Sequence, residues 1–323
     1  MNMSKICVIG GGGWGKNHIN TLNRLGHLYG IIDSNKDILN AHKKINANCK
    51  FFTSIDDALS FGFDGYVIAT PAETHYSIAK KLINLSQNVL IEKPVCLSSN
   101  DAKELKTLAL KNDVFIMGGH LLLFHPAFLK MKEMIKNNKI GNIKYIYSNR
   151  VNFGRVRSHE NALWSLAPHD LSLLLFFNDY EITNLSYKGS QFLGRDIDDA
   201  CIATFNFSNK VNAHIFISWL HPFKEHKFVI IGDKGMLVYE DSSLDKDIIL
   251  YKKSVIFDKA STLEPILKNE KKETIQYEKL SPLDEQLMYF VHSIENDNKK
   301  LDNFVLSINV VNALEKLGEV SNE

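Results

Sequence analysis

Along the first third of the chain, apolar residues fall in short unbroken runs. Ile6-Cys7-Val8-Ile9 is the first, and residues 27–32 form a second that ends in Asp33. Lys50-Phe51-Phe52 and residues 65–69, 88–91 and 114–117 follow. Between these runs lie polar, helix-compatible stretches at residues 16–25, 36–45, 54–59, 75–85 and 98–110. Ser54 is a plausible N-cap, and a serine or asparagine opens the stretch from Ser98. Continuous apolar runs bounded by turn residues predict strands buried on both faces. Their alternation with helices predicts a parallel, doubly wound sheet.

From His120 the pattern changes. Residues 121–124 lead into an amphipathic helix at 126–136, and the turn Ile140-Gly141-Asn142-Ile143 opens a long strand at 144–153. Further strand-like runs lie at residues 182–187, 200–207, 211–219, 227–231, 236–239 and 248–251. In the run from Val211 to Trp219 the apolar residues alternate with Asn212, His214, Phe216 and Ser218, which predicts one buried and one mixed face. Ser208-Asn209 and Asp233-Lys234-Gly235 suit hairpins. The pattern predicts an α+β domain built on a large open, mostly antiparallel sheet with helices on one side. A helix at 160–177 interrupts it, and Pro168 is expected to kink or start that helix. Residues 282–294 and 303–320 read as two amphipathic helices. The expected domains are residues 1–119, 120–282 and 283–323.

Composition narrows the partners. The 323 residues carry 38 Lys and Arg against 37 Asp and Glu, a net charge of +1, and the basic residues are scattered. Neither a nucleic acid nor a membrane partner is expected. Cys7, Cys49, Cys96 and Cys201 are far apart and form no C-x-x-C pair, so neither a disulfide framework nor a metal site is indicated. Residues 1–5 are too short and polar for a signal peptide, and no apolar run is long enough to span a bilayer. A soluble cytoplasmic protein is the expectation. Residues 268–279 form a polar, lysine-rich stretch.

The turn after the first run carries the clearest chemistry. Gly10, Gly12 and Gly15 form G-x-G-x-x-G between a strand and a helix, and Asp33 ends the next strand about twenty residues on. That context makes the turn, with Gly13 and Trp14 inside it, a dinucleotide-binding fingerprint of the Rossmann type. Gly10 permits the tight turn, Gly12 lets a pyrophosphate approach the backbone, and Gly15 lets the helix pack against the strand. The helix N-terminus holds the phosphates. The Asp33 carboxylate suits free ribose hydroxyls and repels a 2′-phosphate, which favours NAD over NADP, although Ser34, Asn35 and Lys36 leave the second open. Ligands of such sheets lie beyond the carboxyl ends of the strands. Thr70, Pro71, His75, Glu92 and Lys93 are therefore further candidates for the cofactor, and His120 for a substrate. Lys93 sits between Glu92 and Pro94 at a strand end. Partial burial beside a cationic nicotinamide would lower its pKa and let it share a proton; otherwise it is a strand-end lysine reaching solvent.

The turn at residues 10–15, Ala69-Thr70-Pro71 with His75, and above all Glu92-Lys93-Pro94 resemble the Gfo/Idh/MocA family of NAD(P)-dependent oxidoreductases, nearly end to end. The resemblance implies that Lys93 is catalytic and contacts the reacting hydroxyl. It implies that the second domain is an open α+β sheet whose outer face packs on another subunit, and that the C-terminal segment returns to the nucleotide domain. The family's second signature is a helical aspartate followed four residues later by a histidine that accepts the proton. The histidine falls on His169 and the aspartate on Ser165, a departure that leaves His169 needing another partner. Asp170 points about 100° away from His169 on an ideal helix. Lys93 and His169 could meet only across a cleft between the domains.

Arg150, Asn152, Arg155, Arg157 and Asn161 cluster before that helix, with Trp164 beyond. Arginine forks and a stacking tryptophan suit an anionic, sugar-like substrate; a solvated loop is the plainer reading. Residues 147–150, 162–164 and 218–224 resemble the family's nucleotide-sugar subgroup, which includes 3-dehydrogenases of UDP-N-acetylhexosamines and their uronates. The leading expectation is hydride transfer between a secondary sugar hydroxyl and NAD, by a homodimer or homotetramer. The alternatives are a simple sugar or inositol dehydrogenase, a redox-neutral NAD-recycling enzyme of glycosidase type, and a non-catalytic sugar- or NAD-sensing regulator.

Overall fold

β1 (Ile6–Ile9) is buried along its whole length in the computed structural model, which describes residues 3–46, 48–158, 160–257 and 264–320. Helix α1 (Gly15–Leu25) follows and ends at Gly26, a left-handed cap with φ 82°. Then come β2 (Leu28–Ile32), α2 (Lys36–Lys43), β3 (Lys50–Phe52), α3 (Ile55–Leu59), β4 (Gly65–Ile68), α4 (His75–Asn84), β5 (Asn88–Glu92), α5 (Ser99–Asn112) and β6 (Ile116–Gly119). Asn35, Ser54 and Ser98 each cap the next helix by accepting a backbone N–H, which satisfies donors that a helix start leaves open. The six strands pair in parallel in the order β3-β2-β1-β4-β5-β6, the doubly wound arrangement with its reversal beside β1.

The continuous apolar runs are explained by burial on both faces. Cys7, Ile9, Ile68, Val89 and Ile91 pack into one cluster with Ala79, Leu82, Ala102 and Leu105 from α4 and α5. Ile6, Val8, Ile31, Val67 and Leu90 pack into another with Ile19 and Leu22 from α1. Successive strand residues therefore serve opposite faces, and neither face can be polar.

The second half contains α6 (Pro126–Lys136), β7 (Ile143–Phe153), α7 (Ala162–Phe177), β8 (Ile182–Ser190), β9 (Ala200–Phe207), β10 (Asn212–Ser218), β11 (Leu220–Gly232), β12 (Met236–Glu240), β13 (Ile248–Tyr251), β14 (Lys253–Phe257), β15 (Pro265–Asn269) and β16 (Glu273–Ile275). Eight strands form one sheet in the order β16-β13-β12-β11-β7-β10-β9-β8, antiparallel except for the parallel β7–β10 pair. Ala213, Ile215 and Ile217 are buried, whereas Asn212 is exposed and His214 and Phe216 are half-buried. On the covered side, Phe128 of α6 and Phe177 of α7 meet Phe228 of β11, with centroids 5.7 and 5.5 Å away.

Several details differ from the sequence pattern. Ser218, expected on the mixed face, is buried, and its hydroxyl accepts the Leu220 N–H at 3.1 Å. Helix α7 continues through Pro168 instead of starting there. Leu163, Ala167, Leu171 and Leu174 are buried on both sides of the proline, and this packing outweighs the lost hydrogen bond. His169 therefore sits inside the helix, and Asn161 is its N-cap, accepting the Trp164 N–H at 3.0 Å. β14, β15 and β16 fall in or near the polar stretch where no strand was expected, and β11 is much longer than residues 227–231.

α8 (Pro282–Glu295) and α9 (Asp302–Val320) close the chain. Leu287, Phe290 and Val291 of α8 join the Ile6–Val8 cluster, and Phe304, Ile308 and Val311 of α9 join the Cys7–Ile9 cluster. The described residues divide into two compact units. One holds the chain up to Phe124 with Leu280–Asn312; the other holds His125–Lys279 and the chain from Ala313.

Candidate active site

In the first unit the candidates converge on the carboxyl edge of the parallel sheet. Gly10, at the end of β1, has φ 91°, and a Cβ there would lie 2.8 Å from the Ala69 carbonyl oxygen. A Cβ on Gly15 would fall 1.8 Å from the Gly10 carbonyl oxygen. Only glycine fits either position. At Gly12 a Cβ would meet only Ile38, at 3.7 Å, and at Gly13 nothing within 4 Å. The crest of the turn is thus open to a phosphate while its base is closed.

Neighbouring side chains fix this turn. Asp33 accepts the Gly11 N–H through Oδ2 and the Asn35 N–H through Oδ1, both at 2.8 Å. The buried His42 places Nε2 2.8 Å from the Gly11 carbonyl oxygen. Asp33 is half-buried, which leaves carboxylate lone pairs for a ligand hydroxyl. The indole N–H of Trp14, in a residue 45% exposed, donates to Glu92 Oε1 at 3.0 Å.

Thr70 and Pro71 follow β4. The Thr74 hydroxyl lies 2.7 Å from both the Thr70 hydroxyl and the Pro71 carbonyl oxygen. His75 is buried, with its ring nitrogens each 2.8 Å from a backbone carbonyl oxygen, of Pro94 and of Thr70. Its ring thus ties the turn after β4 to the turn after β5. Glu92 ends β5 and Lys93 follows it half-buried. His18, wholly buried in α1, places Nε2 2.7 Å from Glu92 Oε1, and the Lys93 N–H donates to Oε2 at 3.1 Å. Burial pushes the Glu92 carboxyl up, but the hydrogen bond from His18 and the Lys93 charge push harder, and it lies below the ordinary range.

His120 follows β6 and is fully buried. Among the described residues neither of its ring nitrogens has a hydrogen-bond partner. Burial lowers its pKa to about 4, with Glu92 opposing and Lys93 adding to the drop, so the ring is neutral near pH 7. Two buried polar atoms without protein partners are what a polar ligand could satisfy.

In the second unit, β7 and α7 carry the remaining candidates. Arg150 donates to Asp170 through Nε at 2.6 Å and Nη2 at 3.2 Å, and the Ser148 hydroxyl adds a bond of 2.6 Å. The Arg150 fork therefore closes on Asp170. His226, at 3.5 Å from Arg150 Nη1, has its pKa lowered to about 4 by burial and by Arg150 and Lys224. Asn152 is half-buried on β7, Arg155 is exposed, and Arg157 lies 3.9 Å from Glu160 while its carbonyl accepts Arg195 Nη1 at 2.6 Å. Trp164 and His169 are half-buried positions on a largely buried helix, and Ser165 is buried one turn before His169. The His169 carbonyl accepts the Ser172 hydroxyl at 2.7 Å.

Sequence reasoning missed His18 and His42, and it read Asp170 as a helix-terminal charge rather than as the partner of Arg150. A histidine four residues after Trp14 and an acid beside His169 were visible, but their partners lie far along the chain.

A glycine turn between β1 and α1, with an acid closing β2, defines a dinucleotide-binding domain. The chain belongs to the GFO/IDH/MocA family of oxidoreductases. Residues 4–120 match its model "Oxidoreductase family, NAD-binding Rossmann fold", and residues 128–238 match "GFO/IDH/MocA C-terminal domain". A UDP-N-acetylglucosamine 3-dehydrogenase from Acidithiobacillus ferrooxidans is 29% identical over 183 residues, covering 56% of each chain. The chain spans about half the length of the curated relatives it first matches. Among solved structures, the enzyme GnnA of that name and organism has a TM-score of 0.85 at 21% identity, over 99% of this chain and 98% of that one. The WlbA dehydrogenase from Bordetella pertussis, solved with NADH and UDP-GlcNAcA, has a TM-score of 0.79 at 16% identity, over 99% and 97%. These likenesses show the fold. No helix among the described residues is long and apolar enough to cross a membrane.

Proposed function

We propose that the protein is an NAD-dependent dehydrogenase acting on a secondary hydroxyl, C3, of a nucleotide sugar of the UDP-N-acetylhexosamine or uronate class. The observation that carries this is the convergence of the open glycine crest, Asp33, Lys93 and the orphaned imidazole of His120 on one sheet edge. The names of the relatives supply the sugar class. NAD, when bound, supplies a hydride acceptor at nicotinamide C4.

The protein's own groups do the rest. The glycine turn and the start of α1 hold the pyrophosphate, and Asp33 accepts from the ribose hydroxyls. His169 takes the proton of the sugar hydroxyl, and Lys93 polarises that hydroxyl and relays the proton. His120, neutral and dry, bonds a polar group of the ligand. Asn152, Arg155, Arg157, Asn161 and Trp164 offer donors and a stacking surface to the nucleotide sugar. The working form is a homo-oligomer assembled on the open face of the eight-stranded sheet.

The test is to incubate purified protein with NAD and a panel of UDP-N-acetylhexosamines and their uronates, following reduced-nicotinamide absorbance and product together. Net reduction is expected. Product without net reduction would identify a cofactor-recycling enzyme, and tight binding without product a sensor; either result overturns the dehydrogenase reading.

A further inference from the structure

Glu92 is more than part of a strand-end motif. It is a buried carboxylate that accepts three hydrogen bonds: Trp14 Nε1–H at 3.0 Å, His18 Nε2–H at 2.7 Å and the Lys93 backbone N–H at 3.1 Å. Three donors and no proton of its own are what an ionised carboxylate requires. Gly119 leaves room for it, since a Cβ there would come within 3.0 Å of Glu92 Oε1. His18 is wholly buried, and its Nδ1 has no hydrogen-bond partner among the described residues. Nδ1 faces no acceptor, so Nε2 is the nitrogen whose proton bonds Glu92, and the carboxylate itself carries the negative charge.

The place of this charge in the sheet gives it a use. Asp33 follows β2 and Glu92 ends β5, on opposite sides of β1 and its glycine turn in the order β3-β2-β1-β4-β5-β6. A dinucleotide with its pyrophosphate on that turn and its adenosine ribose at Asp33 directs its other nucleoside towards the ends of β4, β5 and β6. The oxidised nicotinamide ring is cationic and the reduced ring is neutral. A fixed anion in a dry site stabilises only the first. Lys93 acts in the opposite sense, but it is half-buried and better screened.

We propose that Glu92, locked to the glycine turn by Trp14 and to α1 by His18, is a positioning residue that biases the site towards the oxidised form of the cofactor. The proposal rests on the NAD-dependent reading of the same site. It concerns the affinity of two cofactor forms, so it can fail while that reading stands.

The experiment measures Kd for NAD+ and NADH by titration, without substrate, for the wild-type protein, Glu92→Gln and Trp14→Phe. The wild-type protein should bind NAD+ at least as tightly as NADH, and Glu92→Gln should move the ratio about tenfold towards NADH. Trp14→Phe keeps the charge and should leave the ratio within about twofold of wild type. An unchanged ratio in Glu92→Gln overturns the proposal, as does an equal shift in Trp14→Phe, which would make the effect one of packing. Should Glu92→Gln not fold, the wild-type protein decides alone: NADH tighter by more than about tenfold overturns the proposal. Failure of the wild-type protein to bind either form would overturn the cofactor reading itself.

Discussion

Arg150 and Asp170 form a buried ion pair that joins β7 to α7, with Nε 2.6 Å from Oδ2 and side chains only 12% and 1% exposed. Removing one partner of such a pair strands the other without water. Arg150→Ala should therefore destabilise the fold by about 3–5 kcal/mol, read by chemical denaturation. Replacing both residues with apolar side chains of similar volume should recover most of that loss. A single-mutant effect below about 1 kcal/mol would show that solvent reaches Asp170.

His120 gives a stability signature in acid. Its folded-state pKa is about 4 against an ordinary 6.5, because burial disfavours the charged ring. Between those values the unfolded chain binds a proton that the folded protein refuses. The stability from the neutral ring is complete above the unfolded value, declines as pH falls towards the folded value, and is flat below it. The difference is about 3 kcal/mol. His120→Gln cannot titrate, so its unfolding free energy should fall less steeply between about pH 7 and pH 4. Equal slopes in the two proteins would contradict a buried, neutral His120.

What was legible in the sequence follows from which forces are local. β1, β4 and β5 were visible because a sheet buried on both faces demands unbroken apolar runs such as Ile6-Cys7-Val8-Ile9. The hairpin before β10 and the start of α6 at Pro126 were visible because turn and cap chemistry lies within a few residues. The hydrogen bonds of Glu92 were not, since Trp14 and His18 lie 78 and 74 positions away. Nor was the Arg150–Asp170 pair, which only the pairing of β7 with α7 creates. β15 escaped because its residues are exposed, so no alternation marks it. α7 was read as one helix through Pro168, but a start at the proline was also expected; buried packing, not propensity, carries the helix past it.

Asp33 should select the cofactor. Its carboxylate already holds the Gly11 N–H at 2.8 Å, and a 2′-phosphate would bring further negative charge beside it. NAD should bind more tightly than NADP, and Asp33→Ala should narrow the gap while weakening both through the loosened turn. Titration of each cofactor checks this, and a clear wild-type preference for NADP would refute it.

The open face of the eight-stranded sheet should carry the subunit contact. On it the Tyr147 and His214 rings stack, with centroids 5.3 Å apart and planes within 2°, and the Tyr145 hydroxyl bonds His214 Nδ1. Half-buried Phe216 lies beside them. A rigid aromatic platform is costly to leave in water. Light scattering at micromolar concentration should report a dimer or tetramer, and Phe216→Glu should dissociate it. A monomeric wild-type protein would end this assignment.

Lys93 and His169 should behave as one proton-handling unit. Lys93 follows β5 at the carboxyl edge of the parallel sheet, and His169 is a half-buried position on the largely buried α7. Positioned proton transfer contributes about 10²–10⁴ in rate. Lys93→Met and His169→Asn should each lower turnover by that order while NAD binding persists. The double mutant should lose less than the product of the two effects, because groups that share one proton are not additive. Ser165, where the resemblance implies an aspartate, makes the histidine the sharper test, since a serine cannot orient the ring as an anion does. Near-full activity in His169→Asn, with Lys93→Met inactive, would transfer the role of base to Lys93 alone.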